Sequence, residues 1–573
     1  MSAEAAGKAK YFSKADTDAS GKRQRLLKGV EGSTVVVSPG TFVPSDHFYE
    51  RTLNAVPHPL VSYFFNMTKE QIAARYSHLH PEVDEDALKQ VLNYEPQLLP
   101  WAGTDLFNVT NAEGVRRMCV VETNSSPSGQ KSMPPLNDSI EHGAYATHMQ
   151  TAFKTAEAGS SERVPGGRLA VLFDKNYMEA SGYAKTMADV FDEEVFLVEY
   201  HYNDDEPAVK FEDSVMYVLS PEGEWVAIRA CMRYVTQKPW CALPVTPIKT
   251  VIMNSVAACL AGGRNKLVAS KAYKLLSAQL SDSGLRILAP YTVNDVQLAS
   301  VPLYVASLGG VAVVKSPYGN AGAGVWCITS PRELAEFMED AKSLPYDVFI
   351  VQGLVGGANW SSHTPGAGRL YHVGMMPTKK GKTFVADLRF MVGNVPGRGL
   401  APLAMYARRA REPLPRAIDD GLDSWACLGT NLSTSLSSTD SSRLILCDRR
   451  QFAQLGIGLD DLIAGFVQSV MAVMAIDVMA LRVTGAKEST DSSMETPAAE
   501  LEELRKSDDE RGFDVDLFYS LCADAPLLEE ICVGIERVDP EFAADIRARY
   551  NLETIVDHDP MTSATPTAPD ATE

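Results

Sequence analysis

The sequence predicts an α/β protein with α+β parts, and three observations predict it. Between residues 163 and 219, apolar runs of strand length alternate with a helical segment, the pattern of a small open α/β unit. Between residues 265 and 483, strand candidates outnumber what a helical bundle would need, and a glycine-rich loop joins two of them. The composition, 45% hydrophobic and 22% charged over 573 residues with 40 Gly and 33 Pro, supports several globular domains and excludes a disordered or fibrous chain.

Residues 1–30 are polar and small, so a loose tail is expected. Residues 31–115 read as a mainly helical N-terminal region: a short β-branched run at 34–37 precedes a Pro-rich stretch, then helical periodicity at 64–76 and 84–92. An apolar strand opens residues 116–150. The α/β unit fills 160–264, with strands expected at 169–173, 195–198 and 215–219 and a helix at 179–191. Residues 265–345 carry helix candidates at 269–280 and 332–342 and a strand at 311–315. Residues 346–483 carry strands at 349–351, 384–390 and 475–483 and a helix at 460–474. Charged and small residues mark 484–512 as a solvated linker, 513–556 regains helical periodicity, and 557–573 is a polar tail.

Fifty-three Lys and Arg against 73 Asp and Glu give a net charge of -20, with no basic block to track a phosphate backbone, so no nucleic-acid partner is expected. Nine cysteines form no CxxC pair and no zinc-spaced cluster, and read as reduced core thiols. There is no apolar leader segment and no run of 18 uncharged apolar residues, so no membrane partner is expected and a cytoplasmic location follows by default.

The chemistry concentrates in residues 311–325, Val-Ala-Val-Val-Lys-Ser-Pro-Tyr-Gly-Asn-Ala-Gly-Ala-Gly-Val, an apolar strand ending in Lys315 followed by Gly319, Asn320, Gly322 and Gly324. Small residues let backbone N–H groups close on phosphate oxygens, and Lys315 adds a point charge. A glycine-rich hairpin with a solvent-facing lysine would read the same way. The pattern is neither GxxxxGK[ST] nor GxGxxG opening a helix, and the β-prone run after Gly324 indicates a loop joining two strands. Downstream, residues 346–355 form a buried-strand run through Gln352 whose edge could bond an adenine. Asp387-Leu-Arg389, the pair Arg408-Arg409 and Thr430-Asn431-Leu432 then follow. GxSxG, HExxH and HRDxxxxN are absent, which removes serine hydrolases, zincins and protein kinases.

In this order the elements resemble ATP-grasp ligases of the ribosomal-protein glutamate-ligase and glutathione-synthetase type, over about residues 265–483. The resemblance implies an ATP-grasp fold, ATP and Mg2+ as cofactors, and a second ATP-contacting lysine at a helix start, Lys271 by first choice and Lys266 by second. It also implies that an acidic strand precedes one ending Glu-x-Asn to complete the magnesium site. Residues 475–480, Ala-Ile-Asp-Val-Met-Ala, fit the acidic strand through Asp477, yet no Glu-x-Asn follows Val483. It occurs instead in residues 117–129, where an apolar run delivers Glu122 and Asn124 to one face of a strand, followed by Ser125 and Ser128 in the sequel Ser-Ser-Pro-Ser-Gly. This placement is similar to the circularly permuted eukaryotic glutathione synthetase, with the α/β substrate domain inserted between the halves.

The resemblance implies that Glu122, Asn124 and Asp477 hold magnesium, and that Lys271, Lys315, Gln352 and the 319–324 loop hold ATP. Arg389, Arg408, Arg409 and Asn431 are then catalytic, stabilising an oxyanion as an amine displaces phosphate from an acyl phosphate. Arg229 and Arg233 either clamp a substrate carboxylate with Ser125 and Ser128 or make surface salt bridges. His363 and His372 flank Gly-rich turns without readable chemistry. The implied partners are a small-molecule carboxylate and an amine, and the likeness to glutathione synthetase leaves a homodimer open. A small-molecule kinase and a catalytically silent nucleotide-binding protein are the competing readings.

Overall fold

A computed structural model describes residues 26–27, 32–137, 141–319, 322, 324–344, 348–364, 368–377, 381–418, 421–432, 440–485 and 512–552. Asn320, both expected tails beyond these bounds and most of the expected 484–512 linker lie outside the described residues. Among the described residues the strands form three sheets, packed with helices as a mixed α/β architecture.

The central, antiparallel sheet of six strands runs Tyr371–His372, Trp101–Thr110, Ala386–Val395, Gly399–Arg409 and Leu444–Ile445, with Arg116–Asn124 also paired to Trp101–Thr110. Strand alternation divides its side chains between two faces. Leu106, Met118 and Phe390 approach Gly465 of the helix Leu459–Val483, where an added Cβ would lie 3.2–3.6 Å from them. Phe390 also packs on Phe466 and Phe64. Asp105, one residue before Leu106, points to the opposite face, which is left for a cleft.

The helix Leu459–Val483 corrects the expectation of a strand at 475–483. Its apolar residues occupy every face, so periodicity gives no helical signature over that run, and short apolar runs suit either structure. Gly458 N–H donates to Asp461 at its start. By length and composition the helix could cross a membrane, but its most apolar 18-residue stretch is 94% buried within the fold, as in a core helix.

A seven-stranded sheet runs Thr34–Val37, Val195–Glu199, Arg168–Phe173, Trp225–Tyr234, Val215–Leu219 and Val209–Glu212, with Val251–Met253 beside Trp225–Tyr234. Its central strands are parallel and buried, matching the apolar runs seen in the sequence. A four-stranded antiparallel sheet, Thr292–Gln297, Val348–Gly353, Ala312–Lys315 and Val325–Ile328, has its own core of Val305, Val314, Trp326, Phe337 and Phe349. The glycine loop does join two of these strands. The N-terminal region, expected to be mainly helical, supplies Thr34–Val37 and Trp101–Thr110 to two different sheets. The latter run contains Gly, Asp and Asn, poor strand formers, so its pairing partners decide its conformation.

Candidate functional site

One cleft is lined by the free face of the central sheet, the four-stranded sheet and the ends of the seven-stranded sheet. On its floor Glu122 lies opposite Asp105, Asp105 opposite Arg389, and Arg389 opposite Tyr406, a row across four strands. The register shifts between Asp105 and Leu106, leaving Val121 as an extra residue that turns Glu122 into the row. Arg389 clamps Asp105 through Nε and Nη2 at 2.6 and 2.8 Å, and Arg408 reaches the same carboxylate at 2.7 Å. Arg408 also holds Asp387, which accepts a 2.9 Å bond from the Thr430 hydroxyl. Burial would raise the Asp105 carboxyl, but the two guanidiniums outweigh it and hold it well below the usual range. For Asp387 burial outweighs Arg408 and pushes the carboxyl up.

Two lysines face Glu122. Lys315 ends its strand and is 6% exposed, and burial lowers its ammonium. Lys266 is the first residue of the helix Lys266–Gln279, capped by Asn265, and its Nζ donates to the Gly319 carbonyl at 2.5 Å. Burial, opposed by Glu122, lowers it to about 8. Glu122 itself has no hydrogen-bond or ion-pair partner among the described residues, and the buried amide nitrogen of Asn124 has none either. Above them the glycine loop needs its glycines: Gly322 at φ +84° lies against Trp425, and Gly324 at φ +69° against the Ser316 hydroxyl. Val313, Cys327, Leu354 and Phe107 form an apolar slot beside Gln352, whose amide donates to the Thr292 hydroxyl at 2.9 Å.

Lys315, Gly319, Gly322, Gln352, Glu122, Asn124, Ser125, Ser128, Arg389, Arg408 and Asn431 line this cleft. Four assignments are corrected. Asp477 sits on the buried helix, where its carboxylate accepts from the Tyr94 hydroxyl at 2.6 Å and from the backbone N–H groups of Gln97, Leu98 and Leu99 at 2.7–3.1 Å. It is a brace for the N-terminal chain, away from Glu122. Lys271 lies on another face of its helix, ion-paired to Asp295 at 2.9 Å and bonded to the Leu521 carbonyl, whereas Lys266 reaches the cleft and the Gly319 carbonyl. Arg229 is spent on Glu157, Glu193 and the Gly167 carbonyl. Arg409, the neighbour of Arg408 and so on the opposite strand face, stacks over Phe384 at 5.0 Å.

Arg233 lines the cleft wall but is fully occupied as a brace, donating to the carbonyls of Asn254 and Val235 and to the Ser125 hydroxyl at 2.6–3.2 Å. Ser128 donates to Glu179 at 2.7 Å. His372 is buried edge-on to Phe107, and burial lowers it to about 3, so it is neutral; His363 is exposed. Sequence reasoning missed Asp105, Lys131 and Lys175. For Asp105 no local signal existed: the strand Trp101–Thr110 contains poor strand formers, and only its register across a bulge puts Asp105 opposite Glu122.

A magnesium ion would find hard oxygen donors in the Glu122 carboxylate and the Asn124 side-chain carbonyl, both on the cleft floor. Asp105 is committed to two arginines, and among the described residues no group of three His, Cys, Asp or Glu side chains is placed around one ion. Two protein donors suit magnesium that takes its remaining ligands from phosphates and water.

No protein-family model matches the sequence, and no curated protein matches it. In fold the chain resembles ATP-grasp ligases among solved structures. A RimK domain ATP-grasp protein from Sphaerobacter thermophilus is 14% identical, over 42% of this chain and 90% of that one, with a TM-score of 0.23. A glutathione synthetase-like effector from Globodera pallida is 9% identical over 61% and 81%, with a TM-score of 0.30. The D-alanine-D-alanine ligase from Coxiella burnetii is 7% identical over 55% and 97%, with a TM-score of 0.20.

Proposed function

We propose that this protein is an ATP-dependent ligase that joins a carboxylate to an amine through an acyl phosphate, releasing ADP and phosphate. The observation that carries the reading is the meeting of Lys266 and Lys315 with the unpartnered Glu122 in one cleft under a glycine loop. Two buried ammonium groups and the loop's backbone suit a polyphosphate, and the apolar slot beside Gln352 suits a planar base. Magnesium held by Glu122 and Asn124 would neutralise phosphate charge. The two lysines fix the phosphate chain, which leaves positioning as the main demand of phosphoryl transfer. A substrate carboxylate oxygen bonds the γ-phosphorus as the bond to ADP breaks; the amine then bonds the acyl carbon and phosphate leaves. Arg389, aligned by Asp105, places a buried positive charge beside that carbon.

The permuted order belongs to the same proposal. It is supported by the Arg116–Asn124 strand lying in the sheet of Ala386–Val395, with the whole α/β unit inserted between them in sequence. The test is ADP release in the presence of magnesium, a panel of carboxylates and hydroxylamine. Hydroxamate formation supports the ligase; accumulation of a stable phosphate ester without hydroxamate makes the protein a kinase, and no ADP release with any acceptor rejects both.

A further inference from the structure

Where the ends of the seven-stranded sheet reach the cleft, they contribute a second cluster. Its strand Arg168–Phe173 pairs in parallel with Val195–Glu199 on one side and Trp225–Tyr234 on the other. The chain leaves Phe173 toward one neighbour and returns at the other, so a crevice opens at the carboxyl ends of Arg168–Phe173 and Trp225–Tyr234. Such switch points are where open α/β sheets bind ligands. Asp174 ties the two loops together, accepting from Thr236 N–H at 2.6 Å, its hydroxyl at 3.1 Å and Gln237 N–H at 2.5 Å.

Lys175 follows in this crevice and lines the cleft. It is largely buried, yet it has no hydrogen-bond or ion-pair partner among the described residues, and the neighbouring Asp174 is already committed. Lys131, 6% exposed, lies on the same wall over the Tyr49 ring, and Arg264 lines it too. Beside the committed Asp174, the carboxylate of Glu179 is fully buried and spent on the Ser128 hydroxyl and the N–H groups of Gly129 and Gln130 at 2.7–2.8 Å; Lys131 reaches it only at 3.9 Å. Burial, with Arg264, Arg389 and Lys131 adding repulsion against the pull of Asp174, lowers the Lys175 ammonium to about 8. A desolvated ammonium among other cations is costly until an anion joins it.

We infer that this crevice is an anion subsite, in which Lys175, flanked by Lys131 and Arg264, holds a second acidic group of the substrate acid, a carboxylate or a phosphate. This rests on the ligase reading for the acid's role, and it names the substrate class as a dianionic acid rather than a monoacid. The same wall repels a polyamine, so the amine partner enters elsewhere.

The test is calorimetric titration of the full-length chain with glutamate, O-phosphoserine, alanine and spermidine, in magnesium and ADP and again without them. Glutamate or O-phosphoserine should bind at least tenfold more tightly than alanine, the tighter of the two identifying the acidic group, and spermidine should give no binding. Lys175→Met should bring the preferred probe to the level of alanine, while Lys175→Arg keeps the preference. Because Met removes a partnerless charge, the melting temperature of that variant should not fall. Equal binding of alanine, binding of spermidine, no binding of any probe, or an unchanged preference in Lys175→Met overturns the subsite. ADP titrated alone reports separately: its failure to bind rejects the ligase reading, and the probe series without ADP still decides the subsite.

Discussion

Asp477 and Glu122 lie on opposite sides of the central sheet and differ in how their oxygens are used. Asp477, 0% exposed on the helix, accepts four hydrogen bonds from residues 94–99 and so pins the N-terminal chain to the core. Glu122, on the cleft floor, accepts none among the described residues. A carboxylate whose lone pairs are filled by the fold contributes stability, whereas one held in a cleft with unfilled lone pairs is available to a ligand. The contrast explains why an acidic residue in an apolar run was a poor guide to an open carboxylate: burial of the charge demanded donors, and the nearest loop supplied them.

The largest effect expected from breaking this contrast is at Asp477. Asp477→Ala strands four donors, two of them, the Tyr94 hydroxyl and Leu99 N–H, on buried residues; at about 1–3 kcal/mol for each buried one, a loss of about 4 kcal/mol in urea unfolding is expected. The protein that remains folded should bind ADP as before; a loss of nucleotide affinity with unchanged stability would return Asp477 to the site. Glu122→Gln should do the reverse. It should lower magnesium-dependent ADP formation about 100-fold, or about 2.7 kcal/mol, while the unfolding free energy stays within about 0.5 kcal/mol.

Next in size is the choice between two lysines of one helix. Lys266→Ala should weaken ATP binding about 10- to 100-fold, the worth of one charge-assisted contact at about 1.5–3 kcal/mol. Lys271→Ala, which loses a half-exposed ion pair to Asp295, should change it less than about twofold. Equal effects in equilibrium binding would undo the reassignment.

The smallest effect is a proton. Burial holds the Lys266 ammonium at about 8 in the free protein, and a bound phosphate would raise it. The complex then binds more protons than its components near pH 8, so affinity falls as pH rises through that value, by at most about tenfold per pH unit for one proton. Calorimetry in two buffers of different ionisation enthalpy should show proton uptake of a fraction of one; proton release would contradict the assignment.

The apolar runs, the strand-joining glycine loop and the Glu-x-Asn strand were legible because each is local: a few consecutive residues with one period, one turn chemistry or one spacing. The same holds for Lys315 at a strand end and for Arg389, which alternation sends to one face with Asp387, whereas the choice of Arg408 over Arg409 came from the register of the next strand. What the sequence left open depends on contacts between distant segments. The all-round apolar helix Leu459–Val483 carried no period to distinguish its second half from a strand, and its conformation was settled by the helices and sheet packed around it. Whether Lys266 or Lys271 faces the cleft depends on the rotation of one helix against the Gly319 loop. Asp105 became part of the site only through its register opposite Glu122 and Arg389, and Lys175 only through a sheet crossover that opens beside it. Sequence alone determined which groups this protein has and their local conformations; tertiary structure decided which of those groups are spent on one another and which are left for a ligand, because hydrogen bonds and charges are paired in space, not along the chain.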